Sequence, residues 1–250
     1  MHRDFGRIPG ADVHETPDLL WYTTPSTHSW FNGASRCSLD SGVVDGAIEE
    51  VVREVHARGR NVLWHVGPRS RPVDLPRRLE AAGFEKSSAV AMVLPIDALR
   101  PSETDRRLVV TPARSRSELM DWLNAFDRAF DMEPRGAQHP ALEPFAVLAL
   151  DPETPTELFV GRFDGEPVSS SIAFQGGGAV GLYGVGTDPT FRGRGFGGAV
   201  TAAAIQWGKA RGEQFAILHA TEIGEPVYRR LGFEAIGEKS DFFLPAPSSA

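Results

Sequence analysis

The run Thr187-Asp188-Pro189-Thr190-Phe191-Arg192-Gly193-Arg194-Gly195-Phe196-Gly197-Gly198 constrains this chain most. It lies between an apolar strand-like stretch, Ala179–Val185, and a helix-like stretch, Ala199–Lys209. Closely spaced glycines let a backbone come very near a ligand. The free N–H groups of the following helical turn then point at that ligand, and the helix dipole favours an anion there. Arg192 and Arg194 add fixed positive charge suited to a pyrophosphate.

Two phosphate patterns overlap in this loop. Gly193-x-Gly195-x-x-Gly198 fits the dinucleotide pattern, and Glu222 stands roughly where a ribose-binding acid would. In that fold the glycines follow the strand in a short turn, whereas here Asp188–Arg192 intervene. The stretch after Gly198 is also too short for the remaining βαβ units. A Walker loop needs Gly-Lys-Ser/Thr, which does not occur. The second pattern is Arg-x-x-Gly-x-Gly, met by Arg192, Gly195 and Gly197 after a strand ending in Val185-Gly186-Thr187. Here the chain resembles the GCN5-related N-acetyltransferase family, which binds acetyl-CoA through such a loop. The likeness continues through the strand Phe215–Ala220 to Tyr228-Arg229-Arg230-Leu231-Gly232-Phe233, similar to the family's closing Tyr-x-x-x-Gly-Phe element.

The 250 residues, 41% of them hydrophobic, suffice for one large domain or two smaller ones. A net charge of -7 argues against general attraction to nucleic acid. Cys37 is the only cysteine, so no intrachain disulfide can form and a reducing cytoplasm is the simple expectation. The first residues lack the apolar core of a signal peptide, and no apolar run nears the roughly 18 residues that span a bilayer. No His/Cys/Asp spacing indicates a metal site.

The first hundred residues echo the last forty. A strand, Asn61–Val66, leads to a helix-like Leu75–Ala82, Gly83-Phe84 and a strand-like Ala89–Leu94. Phe215–Ala220, the helix around Val227–Leu231, Gly232-Phe233 and Asp241–Leu244 repeat that order. His65 and His219 each lie seven residues before a proline. The early helix, Val43–Arg58, is entered without Arg-x-x-Gly-x-Gly and with Asp40 and Asp45 where a phosphate site wants positive charge. The expectation is therefore a degenerate acetyltransferase-like half, residues 1–100, that does not bind CoA, and a catalytic half, residues 101–250. The break falls in the Pro95–Arg106 stretch. The second half reads β-α-α-β-β-β-α-β-α-β, the order expected of the acetyltransferase fold. The fold class is α/β (α+β), a mixed central sheet flanked by helices.

The resemblance implies acetyl-CoA as cosubstrate, with no metal. Val185, Gly186 and Thr187 would pair with the pantetheine as an added strand edge. Gly193, Arg194, Gly195, Phe196, Gly197 and Gly198, with Arg192, would hold the pyrophosphate, Phe196 packing inward beneath the loop. Tyr228 stands at the family's general-acid position, where a phenol of pKa about 10 can protonate a departing thiolate. Glu222 is a candidate base. His219 is a second candidate, although a lone histidine in an apolar strand usually sits satisfied in a core. Asp131 and Glu133 fall in the loop that shapes acceptor choice in this family. The family's frequent asparagine is missing from Thr221-Glu222-Ile223-Gly224-Glu225. The acceptor would be a primary amine of a small molecule or protein, and the enzyme a monomer or homodimer. The alternative is a non-catalytic CoA-binding or partner-binding module.

Overall fold

A computed structural model describes residues 2–100, 103–132, 135–151 and 153–247. They form two compact units. One comprises His2–Ala89 and the segment from Gly237, the other Val90–Ile236.

The first unit carries β1 (Asp12–Glu15), β2 (Leu20–Thr23), β3 (Gly33–Ser35), α1 (Val44–His56), β4 (Val62–Val66) and α2 (Leu75–Ala81). Val44, Ile48, Val51 and Val55 recur at helical spacing and form the buried stripe of α1. They pack with Trp21, Val62, Trp64 and Leu79, each large apolar side chain contributing about 1.5–3 kcal/mol by burial. The opposite face of the sheet is covered by the short helical segment His2–Arg7, whose Phe5 packs edge-on against Tyr22 with ring centroids 5.0 Å apart. β3 and β4 run parallel, pairing Gly33 with Leu63 and Ala34 with Trp64. A parallel pair needs a crossover, and α1 supplies it.

The second unit takes in β5 (Glu85–Pro95) from Val90 onward. It continues with β6 (Leu108–Pro112), α3 (Arg116–Ala129), α4 (Leu142–Ala149), β7 (Thr156–Phe163), β8 (Glu166–Gly176), β9 (Ala179–Thr187), α5 (Phe196–Lys209), β10 (Phe215–Ala220) and α6 (Glu225–Leu231). Strand order is β5-β10-β9-β8-β7-β6. β6 to β9 are antiparallel neighbours, and β9 and β10 are parallel, with α5 as their crossover. Ser115 caps α3 by accepting from the Glu118 N–H, while the Glu118 carboxylate accepts from the Arg114 N–H. α5 buries Val200, Ala204, Ile205 and Trp207. α5 and α6 pack on one face of the sheet and α3 on the other.

The expected division at residues 100 and 101 differs from these units by two strands. Val90–Pro95 pairs antiparallel with β10, so it belongs with the second half of the chain. β11 (Glu234–Leu244) pairs through Ser240–Leu244 with β4, so the chain's last strand belongs with the first half.

Candidate active site

β9 and β10 pair only from Ala179/Phe215 to Leu182/Leu218. β9 then runs on to Thr187 with no strand beside it on that edge among the described residues. Its other edge stays paired to β8, where Tyr183 faces Ile172 and Gly186 faces Ser170. Gly184 and Val185 therefore oppose the single residue Ser171, a β-bulge that takes one peptide out of the ladder. Gly184 adopts φ +53°, and the Ser170 hydroxyl donates to its carbonyl at 2.9 Å. The edge of Val185, Gly186 and Thr187 faces the parting of the two strands.

The chain after Thr187 is held tightly. Asp188 accepts from the N–H and hydroxyl of Thr190 and pairs with Arg128 at 2.9 Å. Arg192 donates from Nε to the Thr187 carbonyl at 3.2 Å and from Nη2 to the Ala129 carbonyl at 3.0 Å. These contacts tie the loop to the C-terminal end of α3, where the helix dipole favours a cation. The guanidinium expected to meet pyrophosphate is thus engaged by backbone carbonyls. Arg194 lies over the rings of Phe163 and Phe191, 5.4 and 5.5 Å from their centroids. Phe196 is buried beneath them with Phe163 and Val168, so only its backbone can face a ligand.

Gly193 and Gly195 hold φ of +79° and +80°, and Gly195 caps α5 in the left-handed region. The first bond of that helix runs from the Ala199 N–H to the Gly195 carbonyl. Among the described residues, the N–H groups of Gly193, Arg194, Gly195, Phe196, Gly197 and Gly198 have no backbone acceptor. Side chains built on Gly193 would meet open space, and one on Gly197 would meet only the Thr187 hydroxyl, at 3.5 Å.

Tyr228 projects from α6, which begins after a turn in which the Thr221 hydroxyl accepts from the Gly224 N–H. The ring is buried against Phe233, and the hydroxyl makes no hydrogen bond among the described residues. Burial pushes its pKa up to about 12. Glu222 is exposed in the turn before α6 and has no ion pair among the described residues. His219 is exposed, which corrects the expectation that it sits in the core. Ala216, Leu218 and Ala220 of β10 point into the core with α5, so Phe215, Ile217 and His219 lie on the other, exposed face. Asp131 ends α3 with φ +57° and is exposed. Glu133 lies outside the described residues. The following loop is anchored by a buried pair that the sequence did not suggest, His139 Nε2 and Asp127 Oδ1 at 3.0 Å.

The acetyltransferase (GNAT) domain family matches residues 112–236. The chain belongs to the GNAT family. GNAT members are acyltransferases, and the mixed sheet flanked by helices is their fold. A GCN5-related N-acetyltransferase from Kribbella flavida is similar over 97% of this chain and 92% of its own, at 19% identity and a TM-score of 0.72. A GNAT-family acetyltransferase structure from Novosphingobium aromaticivorans is similar over 94% and 92% of the two chains, at 17% identity and a TM-score of 0.59. A tandem GNAT protein from the clavulanic acid biosynthesis pathway aligns over 97% and 85%, at 13% identity and a TM-score of 0.56. At such identities the likeness is one of fold. No curated protein sequence matches the chain.

Proposed function

We propose that this GNAT chain transfers an acetyl group from acetyl-CoA to a primary amine. The observation that carries the reading is the row of six N–H groups, Gly193 to Gly198, unclaimed by backbone at the start of α5. Such donors suit a pyrophosphate. The unpaired β9 edge at Val185–Thr187 suits the amides of a pantetheine arm.

The residues present fit that substrate and divide the chemistry. The amine nitrogen, as the free base, attacks the thioester carbonyl carbon. A C–N bond forms as the C–S bond breaks, and the nitrogen gives up a proton. The N–H of the peptide freed by the Gly184–Val185 bulge donates to the developing oxyanion. Tyr228 donates its phenolic proton to the departing sulfur, and a phenol with a raised pKa holds that proton until the thiolate needs it. Glu222, directly or through water, takes the proton from the amine. The acceptor is an amine of a small molecule or of a protein.

The pyrophosphate site belongs to the second unit alone. α1, at the corresponding place in the first unit, is preceded by Val43, which offers no capping side chain, and carries Asp45 in its first turn, a charge that repels phosphate. Cys37, buried and free, fits work in a reducing cytoplasm.

Calorimetric titration with CoA and thiol release from acetyl-CoA over an amine panel test the reading. The expected results are saturable CoA binding, its loss in Gly197→Val with the fold intact, and amine-dependent thiol release. Binding without turnover on any amine would instead favour a non-catalytic module, and wild-type affinity in Gly197→Val would remove the loop assignment.

A further inference from the structure

Beside the point where β9 and β10 part, the face of the second unit's sheet opposite α5 exposes large apolar side chains. Phe215 and Ile217 of β10 are 43% and 37% exposed, and Phe130 at the end of α3 is 44% exposed. Ile217 pairs with Val93 on one side and with Gly181 on the other. The Tyr183 ring is folded back over Gly181, where a Cβ would lie 2.9 Å from its Cε2. The Phe130 ring lies over Gly186, where a Cβ would lie 3.0 Å from its Cε2. Glycines thus clear the backbone, and the Tyr183 ring, the Ala129 methyl and the edge of the Phe130 ring fill the space they leave. The result is a floor leading from Phe130 past Tyr183 to Ile217 and Phe215.

Among the described residues, no acidic residue lies on that face of β5 from Val90 onward, or on that face of β9 or β10. Strand alternation presents Ala91, Val93 and Pro95, then Ala179, Gly181 and Tyr183, then Phe215, Ile217 and His219. Polyamines and other polycations would find no carboxylate on these strands. An exposed apolar surface next to a candidate reaction site is a recognition surface by default.

We propose that this floor selects the acceptor, and that the acceptor is a small primary amine borne on an aromatic or branched aliphatic body. The inference rests on the reading of the same site as an acetyltransferase. The amine nitrogen reaches the parting of the strands, and the apolar body lies along Tyr183 and Ile217.

The test uses the full chain saturated with CoA, titrated calorimetrically with 2-phenylethylamine and with ethanolamine. Covering one aromatic ring gives an expected preference of about 10- to 100-fold for 2-phenylethylamine. Ile217→Ser and Phe215→Ser should each cut that preference several-fold and leave CoA affinity unchanged, with only a modest fall in Tm, since both side chains are partly exposed. Equal affinities, tighter binding of ethanolamine, no saturable binding of either amine, or a preference untouched by both substitutions would overturn the proposal. Thiol release from acetyl-CoA with the same two amines separates the two readings. Selective binding without thiol release keeps the floor and sinks acetyl transfer, whereas faster release with ethanolamine sinks the floor and keeps acetyl transfer.

Discussion

Gly195 is packed against the backbone of Glu103: any Cβ on Gly195 would collide with the Glu103 carbonyl, and the Thr104 hydroxyl lies 3.4 Å from the Gly195 carbonyl. This glycine is required by the fold before any ligand arrives. Gly195→Ala should lower Tm and abolish CoA binding together, because the loop and its neighbour cannot both keep their places. Gly193→Ala is the control. It shares the left-handed backbone but meets open space, so its cost is limited to about 1–2 kcal/mol of backbone strain. Thermal melts of the two variants check the contrast, and equal losses would show that conformation, not the Glu103 contact, sets the requirement.

Tyr228→Phe should leave Tm and CoA affinity nearly unchanged, because the hydroxyl has no hydrogen-bond partner to lose among the described residues. Turnover should fall by about 10²–10⁴ if the phenol protonates the thiolate. The diagnostic pattern is a lower kcat with a steady KM for acetyl-CoA. With the phenol pushed up to about 12, wild-type kcat should show no decline from loss of this proton below pH 10. An unchanged kcat with chemistry rate-limiting would remove Tyr228 from the reaction.

The glycine loop, α5 and the strands on either side were legible in the sequence, since apolar runs and glycines mark their ends. The roles within the loop were not. Nothing in the order Arg192-Gly193-Arg194 tells whether a guanidinium meets a ligand, the carbonyls of Thr187 and Ala129, or the rings of Phe163 and Phe191. β10 is apolar at almost every position, so alternation could not say that Leu218 faces the core and Ile217 does not. β1, β2 and β3 are three or four residues long and too short to show a period. The exchange of β5 and β11 between the halves leaves no local trace, because a strand's own pattern does not name its partner.

Acid should loosen the first unit. The His2 ring stacks on His65 with centroids 4.8 Å apart, and His65 Nδ1 lies 2.5 Å from Asp241, which also pairs with Lys239. Burial, and then the charge of His65, holds His2 well below the usual histidine range, and burial lowers His65 too. Burial pushes Asp241 up, but the His65 hydrogen bond and the charges of His65 and Lys239 outweigh it and hold the carboxyl low. The unfolded chain therefore binds more protons at these histidines as pH falls below about 6.5. Stability should drop by up to about 1.4 kcal/mol per pH unit for each histidine. Asp241 adds its own loss only below about pH 4, as pH falls toward its lowered value. Melts from pH 7.5 to 5 should show the fall, with a shallower slope in His2→Gln. Parallel slopes would show that this stack is not the source.

Truncation should follow strand pairing, not the apolar gap after Pro95. Residues 101–250 would leave β10 without Val90–Pro95 and β11 without β4, and unpaired edges of that kind aggregate. Residues 90–236 keep every pairing of the second unit and should be the more soluble piece. Sedimentation and CoA titration of both fragments check this, and better behaviour of 101–250 would overturn it.

The same exchange governs the order in which the chain can fold as it is made. Val90–Pro95 is synthesised well before its partner β10. β4 must wait for Ser240–Leu244, which are made only after all the strands of the other half. Domains usually mature one after another from the N-terminus during synthesis. Here the half that is begun first is finished last, because its β4 is paired only after every strand of the other half has been made.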